Sequence, residues 1–356
     1  MKTAVLLSGG VDSSVALALL KRQGGHDLCA FYLKIWLEDE LAFLGECPWE
    51  DDLKNARAVC ESLSVPLEVV SMQREYHSRV VSYVIAELKQ GRTPSPDILC
   101  NERVKFGAFF DAIDESWDKV ATGHYAQVEE QDGLFRLRRA PDPVKDQTYF
   151  LSALSQKQLS RILFPIGHLQ KSEVRSEASA FDLFNKDRKD SQGICFLGKI
   201  KYNDFVRFHL GEKEGWIVEL ETGKRLGKHK GVWFHTIGQR TGLGLSGGPW
   251  FVVRKDLEAN TVFVSHKDHA AEIACRRIDL AELHWCEGRP PASERVSVKL
   301  RHGPRLLGAT LQLGDAGCGH LELDDTDQGV APGQSAVIYD GEWCLGRGVI
   351  QRGLPG

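Results

Sequence analysis

Residues 6–15 read LLSGGVDSSV, and their reading decides the fold. A short apolar run, Ala4, Val5, Leu6 and Leu7, ends in Ser8-Gly9-Gly10. Asp12, Ser13 and Ser14 follow, and then Val15, Ala16, Leu17, Leu19 and Leu20 recur at helical spacing. The order predicts a buried strand, a glycine turn and a helix N-terminus. Backbone N–H groups at such a helix start point outward with partial positive charge, and glycines let the backbone close on an anion. The place suits a phosphate group.

The same alternation continues outward. Val5–Leu7, Leu28–Ile35 and Leu67–Val70 read as strands, with helices near 12–23, 51–63, 73–90 and 101–115 and a short strand at Val120-Ala121. This argues for an α/β, doubly wound parallel sheet, whose ligands bind at the carboxyl ends of the strands. Residues 130–200 read as an irregular extension. It holds a hairpin, with strands near 125–130 and 134–139 turning at Asp132-Gly133, and helices near 155–163 and 171–182. After about 200, short β-like runs such as Gly215–Val218 and Gly231–Phe234 take over. From about 271, alternating runs such as Val296–Leu300 and Ala336–Tyr339 suggest a small antiparallel β-barrel. Three domains are expected, at 1–200, 201–270 and 271–356.

The composition is that of a globular chain, and no apolar stretch approaches the roughly 18 residues of a membrane span. The first strand starts at the N-terminus, so no targeting peptide is expected and the compartment expected is the cytoplasm, or an organelle matrix if a leader has been removed. The nine cysteines include no C-x-x-C pair, so no metal site is expected and the thiols read as reduced. A net charge of −4 does not advertise nucleic-acid binding. Any RNA contact falls to local basic stretches: 136–139, 186–201, 224–230, and Arg301, His302 and Arg305, with a solvated charged face as the competing reading.

Two cysteines have distinctive settings. Cys100 ends Pro94-Ser95-Pro96-Asp97-Ile98-Leu99 and precedes apolar residues at helical spacing, with Arg103 and Lys105 close by. That puts it at or just before a helix N-terminus, where the thiolate is favoured, and Asp97 is near enough to move a proton. A thiol packed under a loop is the alternative. Cys195 lies in Lys189-Asp190-Ser191-Gln192-Gly193-Ile194-Cys195-Phe196, read either as a glycine-flanked mobile loop or as a buried apolar strand.

The segment SGGVDS (8–13) resembles the pyrophosphate loop of the PP-loop ATPases, which cleave ATP to AMP and pyrophosphate. No lysine follows its glycines, unlike G-x-x-x-x-G-K-[ST]. PSPDILCN (94–101), ATGHYA (121–126), KDQTYFL (145–151), KDSQGICF (189–196) and HTIGQRTGLG (235–244) follow in that order, then PGQSAVIYDGEWCLG (332–346). Together they resemble the tRNA-specific 2-thiouridylases, which place sulfur on the wobble uridine of certain tRNAs.

The resemblance implies ATP with Mg2+ as cofactor, tRNA as substrate, residues 201–270 as a small central tRNA-binding domain, and a persulfide carrier protein or cysteine desulfurase as sulfur source. It implies that Leu6, Leu7, Ser8, Gly9, Gly10, Val11, Asp12 and Ser13 hold the ATP phosphates, with Leu33 and Gly123 also against the nucleotide. Cys195 matches the persulfide cysteine, Cys100 the nucleophile and Asp97 the acid/base, with a transient Cys100–Cys195 disulfide. Ser95, Pro96, Asp97 and His124 fall beside the target base, and Lys145, Asp146, Gln147, Arg301, His302 and Gln334 on the tRNA. Ser95 stands where the family usually has Asn, and Arg347 where a glycine is common; Arg347 is read as a phosphate contact or a surface charge. Cys47 has no assigned role. A monomer is expected, since nothing calls for an obligate assembly. The competing readings are a PP-loop ATPase adenylating a small molecule, and a non-catalytic RNA-binding protein with a relic nucleotide site.

Overall fold

In the computed structural model, which describes residues 1–35, 49–189, 201–269 and 274–355, the apolar run at the N-terminus becomes β1 (Lys2–Leu6). It lies at the centre of a five-stranded parallel sheet of order β3-β2-β1-β4-β7, with β2 at Asp27–Lys34, β3 at Leu67–Ser71, β4 at Lys119–Thr122 and β7 at Ile162–Leu163. A strand covered on both faces must be apolar on both, and Ala4, Val5, Leu6 and Leu7 are all buried. Helix α1 (Val11–Gln23) and α2 (Trp49–Leu63) pack on one side. On the other lie α3, which runs through Gln73–Tyr76, His77–Val81 and Ser82–Lys89, and α4, which runs through Pro96–Leu99, Cys100–Ala108 and Phe109–Ala112. The middle segment of each is a π-helix. In α4 the Glu102 and Phe106 carbonyls accept from the Gln158 amide, at 2.9 and 2.8 Å.

Two expectations for this region are corrected. The stretch read as a helix over 155–163 is a short helix at Gln156–Leu159 followed by strand β7. Leu159, Ile162 and Leu163 fit a helical period, but pairing of Ile162 and Leu163 with Val120 and Ala121 extends the sheet and prevails. The helix read from 101 begins instead at Pro96, because proline is preset for the first helical position and has no N–H to lose there.

The hairpin is present as β5 (Ala126–Gln131) and β6 (Leu134–Arg139), turning at Asp132 and Gly133 with φ of 54° and 76°. Its partner is unexpected: β6 pairs with the C-terminal strand, Arg138 opposite Trp343 and Leu137 opposite Cys344. The C-terminal part is a closed antiparallel six-stranded barrel, in order β12-β15-β14-β13-β16-β17 with β12 paired back to β17. Its strands run at Cys275–Trp285, Arg295–Lys299, Leu307–Leu313, Gly319–Asp327, Ser335–Asp340 and Trp343–Pro355. The hairpin thus extends the barrel sheet from the first domain.

Between them sits helix Tyr202–Leu210 and a four-stranded sheet of order β10-β11-β8-β9: Gly215–Glu219 (β8), Arg225–His229 (β9), Trp250–Asp256 (β10) and Thr261–His266 (β11). Val232–Phe234, read as β-like, is a single 3-10 turn. Gly231 enters it at φ 147° with the Trp233 ring against it, which takes the chain out of extended pairing. Among the described residues no helix is long and apolar enough to cross a membrane.

Candidate active site

The glycine turn sits at the carboxyl end of β1. Gly9 has φ 76°, and a Cβ there would lie 2.1 Å from the Asp52 carbonyl oxygen, so conformation and space both demand glycine. Gly10 precedes α1, and no side chain caps that helix start. Ser13 and Ser14 turn their hydroxyls back to the Gly10 carbonyl, at 3.1 and 2.9 Å. The Ser8 N–H donates to the Ser13 hydroxyl at 3.2 Å. Gly123 lies directly over this turn: a Cβ would come within 2.5 Å of the Ser13 nitrogen. Leu33, half-buried near the end of β2, flanks the same edge two residues beyond Phe31, the partner of Leu6.

Four residues that sequence reasoning did not assign to the loop complete the cradle. Lys171, the first residue of helix Lys171–Ala180, reaches the Asp12 carboxylate at 2.7 Å, and the Tyr125 hydroxyl donates to the same oxygen at 2.9 Å. The Asn185 amide donates to the Gly9 carbonyl at 2.8 Å and to the Ser14 hydroxyl at 2.9 Å. Arg188 donates to the Gly9 carbonyl at 3.0 Å and pairs with Asp52. The loop therefore has a lysine after all, delivered in space from far along the chain. One signal was present: a cation at a helix's first position opposes the helix dipole and needs another reason to be there.

A second cluster lies where the first domain meets the barrel. Thr93 donates to the Pro332 carbonyl at 2.7 Å, and Gly333 at φ 93° lets the barrel loop close on the linker between α3 and α4, since a Cβ would stand 2.9 Å from Thr93 backbone atoms. The same loop carries Gln334. The Ser95 side chain hydrogen-bonds Tyr149, whose hydroxyl donates to the Ser335 carbonyl at 3.0 Å. Phe150 stacks on His302, 4.5 Å between centroids at 27°. Burial holds the His302 imidazole below its ordinary pKa, against the opposing pull of the Asp146 backbone carbonyl and the carboxylates of Asp146 and Asp97. Asp97, His302 and Ser95 therefore share one neighbourhood. Arg301 beside it is held by a two-pronged pair with Asp327, at 2.8 and 2.9 Å.

Cys100 lies one turn inside α4, not at its start as expected, because Pro96 opens the helix four residues earlier. It is 1% exposed. The next residue, Asn101, donates to the Phe150 carbonyl at 3.1 Å, tying the thiol-bearing turn to the Phe150–His302 stack. His124 bonds Thr122 at 2.7 Å between Phe106 and Phe164, and burial, with Lys105 nearby, holds it neutral well below its ordinary pKa.

The KDQ turn links the two clusters. The Gln147 side-chain oxygen accepts from the Tyr125 N–H at 2.9 Å, next to Asp12. Asp146 faces the barrel, buried, where its carboxylate takes Lys299 at 2.9 Å, Arg139 at 3.1 Å and the Thr148 hydroxyl at 2.8 Å. Lys145 is half-buried, its N–H on Asp142.

The basic stretch 136–139 is spoken for by ion pairs: Arg136 with Glu287, Arg138 with Glu129 and Glu342, and Arg139 with Asp146. Arg347 corrects both earlier readings, since it is 7% exposed and its guanidinium lies 3.8 Å from Glu102 on the Cys100 helix. Cys195 and Cys47 lie outside the described residues. Among the described residues no group of three or more His, Cys, Asp or Glu side chains could hold a metal ion.

A family model described as tRNA methyl transferase HUP domain matches residues 1–199, its PRC-barrel domain counterpart 203–266, and an aminomethyltransferase beta-barrel domain 275–350. A Parabacteroides distasonis protein named tRNA-specific 2-thiouridylase MnmA is 47% identical over 98% of this chain and 99% of its own length. Proteins of that name from Porphyromonas gingivalis and Bacteroides thetaiotaomicron (the latter MnmA 1) are each 46% identical over 99% of this chain and 100% of theirs. With near-complete coverage in both directions, the chain belongs to the tRNA-specific 2-thiouridylase family.

Proposed function

We propose that the chain is an ATP-dependent tRNA sulfurtransferase that replaces the C2 oxygen of the wobble uridine with sulfur. The observation that carries this reading is the link between the two clusters: the KDQ turn touches the phosphate loop through Tyr125 and runs into the Phe150–His302 stack beside Ser95, Asp97 and Cys100. A small-molecule adenylating enzyme has no evident use for the second cluster.

The chemistry explains why both are needed. A uracil C2 carbonyl is a poor electrophile and its oxygen a poor leaving group. Attack of that oxygen on the α-phosphorus of ATP releases pyrophosphate and leaves AMP on the oxygen. Sulfur then adds at C2, and AMP departs with the oxygen. The loop Leu6–Ser13, with Leu33 and Gly123, holds the ATP, while the open N–H groups of α1 and the Lys171 ammonium oppose phosphate charge. Magnesium bound with the nucleotide would supply further charge neutralisation, and the Asp12 carboxylate in the loop is the side chain that would hold it. Ser95, Pro96, His124 and His302 surround the base, which must leave its stack to enter. Lys145, Gln147, Arg301 and Gln334 hold the tRNA, and Asp146 acts by fixing the turn.

Sulfur arrives as a persulfide on Cys195 from a carrier protein or desulfurase. In one route the outer sulfur attacks C2 directly, and the Cys100 thiolate then attacks the Cys195 sulfur, releasing the thiolated base. In the other, Cys100 first displaces hydrosulfide, which attacks C2. Both leave a Cys100–Cys195 disulfide, which a two-electron thiol reductant restores, and Asp97 exchanges the protons.

The test combines purified protein, ATP, magnesium, a persulfide donor and unmodified tRNA, read by retardation in a mercury-containing gel and by AMP release. Thiolation with one AMP per sulfur is expected, lost in Cys195→Ser and Cys100→Ser while ATP binding persists. ATP binding with no retardation of any tRNA sinks the proposal.

A further inference from the structure

The central sheet has one packed face and one open face. Ile217, Val252, Val262 and Val264 turn into its small core beneath Val232 and Leu243. Strand alternation sends their neighbours Trp216 and Phe263 to the opposite face. There Trp216 stands across from Lys228, and Phe263 across from Arg254. The Arg225 guanidinium lies 4.5 Å and the Lys228 ammonium 5.3 Å from the Trp216 ring centre, and the Arg254 guanidinium 3.9 Å from that of Phe263. All three cations are exposed. Lys228 shares its charge with Glu214 at 2.6 Å, but among the described residues neither Arg225 nor Arg254 pairs with a carboxylate. Residues 201–270 hold eleven Lys and Arg against eight Asp and Glu, within a chain whose net charge is −4.

We propose that this face grips the phosphate backbone of the RNA substrate, with Arg225, Lys228 and Arg254 as anion contacts and Trp216 and Phe263 as their supports. The proposal rests on the tRNA reading above. An aromatic ring beneath a guanidinium fixes its plane, so less freedom is lost when the fork meets a phosphate. Because cations cover both rings, the face offers charge, not bare ring, and that suits backbone over unpaired bases. Unpaired arginines in an otherwise acidic chain supply the charge complementarity.

The test measures binding of the full chain to an unmodified tRNA transcript across a salt series. The triple variant Arg225→Gln, Lys228→Gln, Arg254→Gln should flatten the slope of log affinity against log salt by about 2 to 3 and weaken binding on the order of 100-fold at physiological salt. ATP affinity serves as the folding control. The pair Arg225→Lys, Arg254→Lys, which keeps charge and loses the flat stack, should retain the slope and weaken binding only a few-fold. A triple variant that binds ATP and matches the parent in both slope and affinity overturns the proposal. A parent chain that neither binds nor thiolates tRNA overturns the underlying reading instead.

Discussion

Replacing Lys299 with methionine removes one cation from a buried pair while keeping most of the side-chain volume. Lys299 and Asp146 are each 1% exposed, with ammonium and carboxylate 2.9 Å apart. Truncating one partner of such a pair costs about 3–5 kcal/mol, because the remaining charge is left without compensation. Here compensation is partial: Arg139 at 3.1 Å and the Thr148 hydroxyl at 2.8 Å stay on the carboxylate. The loss should therefore sit at the low end, about 3 kcal/mol, read by urea unfolding with tryptophan fluorescence. Adding Asp146→Asn removes the orphaned charge, so the double variant should recover at least about 1 kcal/mol of it.

The pH dependence has a fixed sign. Burial alone would raise the Asp146 pKa, but the attraction and hydrogen bond of Lys299, with Thr148 and Arg139, hold it below the ordinary value. A carboxyl depressed in the folded state contributes stability that is full above its unfolded pKa of about 3.9 and is lost as pH falls through the folded value. The gap between parent and Lys299→Met should be widest near neutral pH and narrow as pH falls, because without Lys299 burial raises the Asp146 carboxyl and lets it take up a proton sooner than in the parent. A variant within about 0.5 kcal/mol of the parent at pH 7, below the usual scale for a buried pair, refutes the reasoning.

Other sites give sharper functional readouts. Lys171→Met should weaken ATP binding about tenfold by calorimetry, the scale of one charge-assisted hydrogen bond; unchanged affinity would make Lys171 only a tether for Asp12. Gly123→Ala places a Cβ 2.5 Å from the Ser13 nitrogen and 2.7 Å from the Asp12 carbonyl carbon. The phosphate turn must then shift, so ATP binding should be lost while the circular dichroism spectrum is kept. His124 is held neutral in the fold by burial first and Lys105 second, whereas the unfolded chain takes up a proton below about pH 6.5. Stability should therefore fall as pH drops below that value, and His124→Phe should lessen the fall; equal acid sensitivity in both chains would contradict it.

What could be read from the chain tracks how local the cause was. The strand–glycine–helix start is fixed within ten residues, because Gly9 needs its positive φ and β1 needs apolar side chains on both faces. The hairpin is equally local, set by Asp132-Gly133. Its docking on the barrel was invisible, since Leu137 meets Cys344 across more than half the chain. Likewise Ile162 and Leu163 carry a helical period, and only Val120 and Ala121 make them a strand. Arg347 looked like surface because its neighbours are glycines, yet the barrel wall turns it inward onto Glu102.

Lys171 is the instructive omission. A phosphate loop of the G-x-x-x-x-G-K-[ST] kind keeps its lysine within the motif, so the absence of one after Gly10 suggested a cradle that leans on helix dipole and metal alone. The fold supplies the cation differently. Helix Lys171–Ala180 packs beside α1 with both N-termini at one end of the sheet, and its first side chain crosses to Asp12. That placement puts a positive charge at two helix N-termini at once, which the dipoles disfavour by a few tenths of a kcal/mol each unless an anion is present. Asp12 offsets part of this when the site is empty, and a polyphosphate would offset more. The arrangement therefore stores a modest electrostatic imbalance that ATP relieves, so binding should tighten the α1 start and the Lys171 turn together. Amide hydrogen exchange checks this directly: protection should rise at Asp12 to Ser14 and at Lys171 to Val174 on adding ATP, and a change confined to one of the two would break the coupling.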